Sequence, residues 1–236
     1  MQEGEIVIVN PSGIFVQVIN LARRPDRLAK VSAELQSAGL NFDIQVAVDG
    51  QLDGYQSEFV SRGEIGCWKS HINAMREMVQ KGASFSLVLE DDAVIRPVVN
   101  NLFLSKMTDL MERNNLDMLQ IGFIESFYSA SLKAGVLEFF ISLLKSRGTR
   151  DISGARFVLG EFRAGTHAYI VNARLADAIS RTVSEPPLIP WDGYLESLAR
   201  GQIGRGDIRI ARLVKSAVPQ ASRASQGLKV DSDIAS

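Results

Sequence analysis

A lone cysteine, Cys67, excludes an intramolecular disulfide and fits a reducing compartment. Long apolar runs are also missing: nothing approaches the ~20 residues that a helix needs to cross a bilayer. The opening MQEGEIVIVNPSG puts acids where a secretory signal carries positive charge. Neither charge is in surplus, since 26 Lys and Arg face 27 Asp and Glu, for a formal charge of -1 and a pI near 6.2. That balance lacks the basic excess of a nucleic-acid binder. Internal repeats and low-complexity tracts are absent as well. The expectation is a soluble, cytoplasmic protein without a nucleic-acid partner, in which any electrostatic argument is local.

With 46% hydrophobic residues in 236, the chain has material for one large core. We expect one domain over 1–236, with a core at 14–220 and a small, polar tail from Ala221. IFVQVINL (14–21) is apolar and rich in β-branched residues, and PDRLAKVSAELQSAGL after it spaces Leu28, Val31, Leu35 and Leu40 as a helix does. FDIQVAV (42–48) predicts a second strand, closed by Asp49 and Gly50. GEIGCWKSHINAMREMVQKG predicts a helix with Ile65, Trp68, Ile72, Met75 and Val79 on one face and Gly82 as its stop, before a strand at 85–90. Residues 98–113 and 173–183 predict helices, and DMLQIGF and AYIVN predict strands. Strands alternating with helices imply an α/β fold with a mostly parallel sheet, whose ligands bind beyond the carboxyl ends of the strands.

At such an end stand Glu90, Asp91 and Asp92. On an extended strand Glu90 and Asp92 would share a face, with Asp91 opposite. Crowded carboxylates repel, and a hard divalent cation such as Mn²⁺ or Mg²⁺ holds two of them together, with diphosphate oxygens completing its shell. The other reading is a solvated turn in which Asp91 or Asp92 caps a helix.

Five stretches occur in order: VINLARRPDR (18–27), GEIGCWKSH (63–71), LVLEDDAVI (87–95), GTHAYIV (165–171) and PWD (190–192). Together they resemble glycosyltransferase family 25, the lipooligosaccharide and collagen galactosyltransferase-like enzymes. The resemblance implies a single-domain, Rossmann-like glycosyltransferase A-type fold with a mixed, mostly parallel central sheet, a UDP-sugar donor, a divalent cation and inversion at the anomeric carbon. It implies transfer of a hexose, galactose first, to a glycan acceptor in bacterial lipopolysaccharide or lipooligosaccharide biosynthesis. EDD stands where such enzymes carry an Asp-x-Asp type motif. That makes Asp92 and Glu90 the expected metal ligands, with Glu90 also near the ribose and Asp91 in the donor site.

The remaining candidates each carry two readings. Asn20, Arg23 and Arg27 sit at a strand end and helix start, where N–H groups and cations favour a nucleotide; they, or Arg24, could equally form a solvated helix start with Asp26 paired to a neighbour. Ser70 and His71 line the donor pocket on the family pattern, or His71 is a satisfied core residue. Cys67 reads as packing, for nothing marks its thiolate as activated. His167 is a metal or phosphate ligand, or packed; Tyr169 stacks on a sugar, or fills the core. Trp191 would offer a sugar platform, and Asp192 the base that takes the acceptor proton, with Asp49 and Glu161 in reserve. Asp192 could instead N-cap GYLESLAR.

Two further stretches suggest a lipid-linked acceptor and a peripheral contact with the inner face of the cell membrane. One is the apolar segment 133–148; the other runs from Arg200 to Lys229, with seven Lys or Arg and one acid. Their plainer reading is a core helix plus cations that cover the diphosphate. Against the enzyme stand a non-catalytic nucleotide-sugar-binding module, which would not need crowded carboxylates, and a metal-dependent phosphohydrolase, which leaves GEIGCWKSH and GTHAY unexplained.

Overall fold

The computed structural model describes residues 10–52, 54, 57–124, 149–150, 155–182, 188–204 and 206–221. The apolar segment 133–148 and the tail from 222 lie outside them. Among the described residues no helix is long and apolar enough to cross a membrane.

The first half follows the alternation read above: β1 (Ile14–Asn20), α1 (Pro25–Ser37), β2 (Asp43–Val46), α2 (Arg62–Gln80) and β3 (Phe85–Glu90). Then come α3 (Asn101–Arg113), β4 (Met118–Gly122), β5 (Thr149–Arg150), β6 (Arg156–Leu159) and β7 (Ala168–Asn172). Helices α4 (Ala173–Thr182) and α5 (Trp191–Ala199) and strand β8 (Ile210–Leu213) complete the order. Pro25 opens α1, where its missing N–H costs nothing. Ser61 and Glu64 form a reciprocal capping box at the start of α2. Gly82, at φ 65°, follows the last turn of α2 and lets the chain turn into β3.

The strands form one sheet in the order β2-β1-β3-β7-β4-β8-β6-β5. β1 pairs parallel with β2 and β3, and β4 parallel with β8. β7 runs antiparallel between β3 and β4, and β6 antiparallel to β8 and β5. The sheet is therefore mixed with most strands in one direction, a Rossmann-like α/β arrangement. The mixed sheet expected from the family resemblance is present; periodicity alone reports that AYIVN is a strand, and its antiparallel place between β3 and β4 depends on partners distant in sequence.

Alternation along β1 divides two cores. Ile14, Val16 and Val18 pack with Val31 and Leu35 of α1 and Leu104 and Leu110 of α3. Phe15 and Ile19 face Trp68, Ile72 and Met75 of α2 with Leu175 of α4 and Leu195 of α5. Each fully buried Leu, Ile or Phe contributes about 1.5–3 kcal/mol relative to exposure. After β1 the chain goes to β2 on one side and crosses through α2 to β3 on the other. Strand order thus reverses between β1 and β3, where an open α/β sheet leaves a crevice at its carboxyl edge.

Candidate active site

A cleft opens at that reversal. Ile19 and Leu21 from β1, the loop Ala47–Gln51 after β2, Gly63, Cys67, Ser70 and His71 from α2, and Glu90–Asp92 after β3 line it, with Arg23, Arg27 and Gln220. The loop lies hard against α2: a Cβ on Gly50 would sit 1.7 Å from the Arg62 carbonyl oxygen, and one on Gly66 2.6 Å from that of Val48. Those two glycines permit the contact. Ser70 fastens it, its Oγ donating to Gly66 O at 2.6 Å and accepting from Val48 N at 2.8 Å.

β3 stops at Glu90, and Asp91 and Asp92 form a turn, so strict strand alternation does not set their directions. Partners do. Glu90 points to α2, where its Oε1 accepts from the Thr166 hydroxyl and lies 3.2 Å from His71 Nε2. Asp91 points to α1, accepting from Asn20 Nδ2 at 2.8 Å and Arg27 Nη1 at 3.3 Å. Asp92 Oδ2 accepts from Gln220 Nε2 at 2.7 Å, while its buried Oδ1 has no hydrogen-bond partner among the described residues. With Asp91 buried and Asp92 half-buried, the triplet is not a solvated turn, and it caps no helix: α3 takes its cap from Asn100.

Burial and packing make these three acids different bases. Burial pushes Glu90 up, but His71 and Thr166 outweigh it and hold the carboxyl below its ordinary value. Burial pushes Asp91 up despite Arg27 and Asn20. Asp92 is pushed up to about 7, by burial first and then by the Glu90 charge. A carboxylate with one buried, unpartnered oxygen and a nearby like charge fits a divalent cation, which would fill the empty acceptor position and relieve the repulsion. Asp92 meets that description; the Glu90 Oε1 already has protein partners.

The other candidates divide. Arg23 pairs with Asp49 at 2.8 Å on the cleft wall, and Arg24 with Asp26 at 2.9 Å outside it. Asn20 is buried behind the lining and serves Asp91. His71, 1% exposed, sets Nδ1 2.8 Å from the Tyr169 hydroxyl and stacks on Trp191 at 5.6 Å and 13°. Trp191 is 1% exposed and meets Trp68 edge-on at 4.4 Å, so it is part of the core and offers no face to a sugar. Tyr169, fully buried, fills the core too.

His167 is also fully buried. Its Nε2–H donates to Val218 O at 2.8 Å, in space left by Gly122, where a Cβ would lie 2.8 Å from that nitrogen. It ties the 217–220 segment to the sheet and lies behind the cleft lining. Asp192 is not the cap of α5, whose N-cap is Pro190. Its Oδ1 accepts from Gly193 N at 2.9 Å and its Oδ2 from Gly165 N at 3.4 Å. It stands outside the lining but near Cys67, whose thiol is pushed up by burial and by the charges of Glu90 and Asp192.

Sequence reading passed over Thr166 and Gln220. Thr166 lies inside GTHAY, between the Gly and His that drew notice. Gln220 had no local signal, because only the bridge Ala93↔Gln220 brings it to Asp92.

Residues 14–195 match the family described as "Glycosyltransferase family 25 (LPS biosynthesis protein)". A "Glycosyltransferase 25 family member" of Anopheles gambiae is 30% identical over 199 residues, covering 76% of this chain and 31% of the relative. Human "Procollagen galactosyltransferase 2" is 30% identical over 196 residues, covering 75% and 29%. Mouse "Inactive glycosyltransferase 25 family member 3" is 29% identical over 126 residues, covering 45% and 21%. The chain thus spans about a fifth to a third of these relatives' length. Among solved structures, a glycosyltransferase involved in the glycosylation of the major capsid of PBCV-1 aligns at 12% identity and TM-score 0.38, covering 70% of this chain and 63% of that one. A197 from STIV aligns at 12% identity and TM-score 0.44, covering 87% and 82%.

Proposed function

Since the chain belongs to glycosyltransferase family 25, we propose that it transfers a hexose, galactose first, from a UDP-sugar to a hydroxyl of a glycan acceptor with inversion. The observation that carries this reading is Asp92, half-buried at the cleft with one buried oxygen that no group among the described residues satisfies. A divalent cation, Mn²⁺ or Mg²⁺, held by Asp92 would supply Lewis-acid neutralisation of the diphosphate. Arg23 and Arg27, on the same cleft, add positive charge where the leaving group gathers negative charge. Asn20 holds Asp91, and Asp91 holds Arg27, so the three act as a positioning chain.

Inverting transfer needs a base on the acceptor side to take the hydroxyl proton. Asp49 is committed to Arg23 and Glu161 to Arg212. Asp192 accepts only from backbone N–H groups among the described residues, one of them at 3.4 Å, and lies near Cys67. We therefore assign the base to Asp192. The acceptor class we propose is a bacterial surface glycan, lipid-linked and met at the cytoplasmic face of the membrane; the basic stretch after Arg200 supports that placement.

A relative named inactive aligns with this chain over 126 residues, which favours a second reading: a nucleotide-sugar-binding module without turnover. UDP release with Mn²⁺, measured across UDP-galactose, UDP-glucose and UDP-N-acetylhexosamines with and without a lipooligosaccharide acceptor, separates the two. Acceptor-dependent release is expected. Thermal stabilisation by UDP-sugars with no release under any acceptor would establish the binding module instead.

A further inference from the structure

Cys67 and His71 stand four residues apart on α2, one helical turn, and so share a face. Glu90 meets them from the end of β3. One ligand atom from each of the three lies within 4.8 Å of the others. All three line the cleft, which gives a dissolved ion a path to them. We infer that Cys67, His71 and Glu90 form a second metal site, separate from the one at Asp92, that takes a thiophilic ion, foremost Zn²⁺, in preference to Mn²⁺ or Mg²⁺.

The ligand set decides the ion. Thiolate and imidazole suit zinc, whereas manganese and magnesium favour oxygen shells. Distances agree: tetrahedral zinc with bonds of about 2.0–2.3 Å needs ligand atoms about 3.3–3.6 Å apart. His71 Nε2 and Glu90 Oε1 already stand 3.2 Å apart, and the 4.8 Å limit on the set leaves about an ångström for Cys67 to close by a side-chain adjustment. The ion takes the place of the proton between His71 and Glu90, which moves to Nδ1 beside the Tyr169 hydroxyl or to solvent, and the Cys67 thiol proton passes to solvent.

Outer contacts are in place as well. The Tyr169 hydroxyl sits 2.8 Å from His71 Nδ1 and fixes the ring, and Thr166 holds the Glu90 carboxylate. Such partners orient metal ligands and raise their affinity. Three protein ligands would leave a fourth position for water or a bound ligand, which the cleft they line can supply.

The test titrates the intact, metal-free protein with Zn²⁺ by calorimetry and with Co²⁺ by absorption. Co²⁺ is expected to bind one to one with a thiolate-to-cobalt charge-transfer band in the near ultraviolet, and Zn²⁺ to displace it. Excess Mg²⁺ should leave the band intact. Cys67→Ser should remove the band and weaken Zn²⁺ by at least about tenfold, while Asp92→Asn keeps the band. Co²⁺ binding to the wild type without a charge-transfer band, or equal Zn²⁺ affinity in wild type and Cys67→Ser, overturns the proposal. The wild-type spectrum decides without any variant, and neither result depends on whether the protein transfers sugar.

Discussion

Buried carboxylates sit at both ends of the sheet, and they are treated in opposite ways. Asp117, just before β4 at the amino edge, accepts from Asn172 Nδ2 at 3.0 Å, Arg174 Nε at 2.9 Å, Arg174 Nη2 at 2.5 Å and the Arg209 backbone N–H at 2.8 Å. Both its oxygens are served, and Arg174 is pushed up further from its ordinary value by that hydrogen bonding. At the carboxyl edge Asp92 keeps one oxygen without a partner among the described residues, beside a second carboxylate. A buried charge normally demands its hydrogen bonds. The saturated acid joins β4 to α4 and the 207–209 segment; the unsaturated one leaves an acceptor that no described protein group fills.

The widest separation between the two should appear in paired substitutions. Asp92→Ala is expected to lower metal-dependent transfer about 10³-fold or more, since several kcal/mol of charge stabilisation go with the metal. Its melting temperature should hold or rise, because a buried, repelled charge is removed. UDP-release kinetics and a melting curve on one preparation check both; undiminished transfer would dissolve the contrast.

Next in size is Asp192→Asn, expected to cost about 10²–10⁴-fold in kcat, the usual worth of general base catalysis, with donor binding unchanged. Asp49→Asn should instead weaken donor binding through Arg23. If kcat fell for Asp49→Asn and not for Asp192→Asn, the base would be Asp49 on the cleft wall.

Asp117→Ala should mirror the first pair. A loss of about 2–4 kcal/mol of stability is expected from stranded donors, moderated by the half-exposed Arg174, with turnover per folded molecule intact. Denaturant unfolding and specific activity measure the two quantities. A stable Asp117→Ala protein would mean that the amino-edge cluster is decoration.

The same contrast explains what could be read in the chain. Elements with a strong local period, such as α2 and β3, were legible to within a residue or two, and charge crowding marked EDD as a place to look, although the triplet alone could equally have been a solvated turn. The shortest strands were not: β5, β6 and β8 run for two to four residues, too few to set a period, and owe their existence to neighbours across the sheet. Nor could sequence tell Asp117 from Asp92, because Arg174 and Arg209 lie far along the chain from the first and Gln220 from the second. Trp191 shows the converse error, an aromatic in a suggestive motif whose face the fold has already used against Trp68 and His71.

The smallest expected effect, and the most direct on the unsatisfied acid, is in pH. Asp92 rises from an ordinary 3.8 to about 7 in the folded protein, so the native state keeps a proton that the unfolded chain releases. Its contribution to stability is whole below about pH 4 and is lost as pH rises towards 7. Glu90, held below its ordinary value, works oppositely: its contribution exists above that value and is lost on acidification. Without metal, the melting temperature should therefore crest in mild acid and decline between about pH 5 and 8, and Asp92→Asn should flatten that decline. Mn²⁺ binds the deprotonated carboxylate, so its stabilisation should grow over the interval in which the metal-free protein weakens. A metal-free wild type that melts at one temperature from pH 5 to 8 would place Asp92 with Asp117, among acids whose charge the fold has already answered.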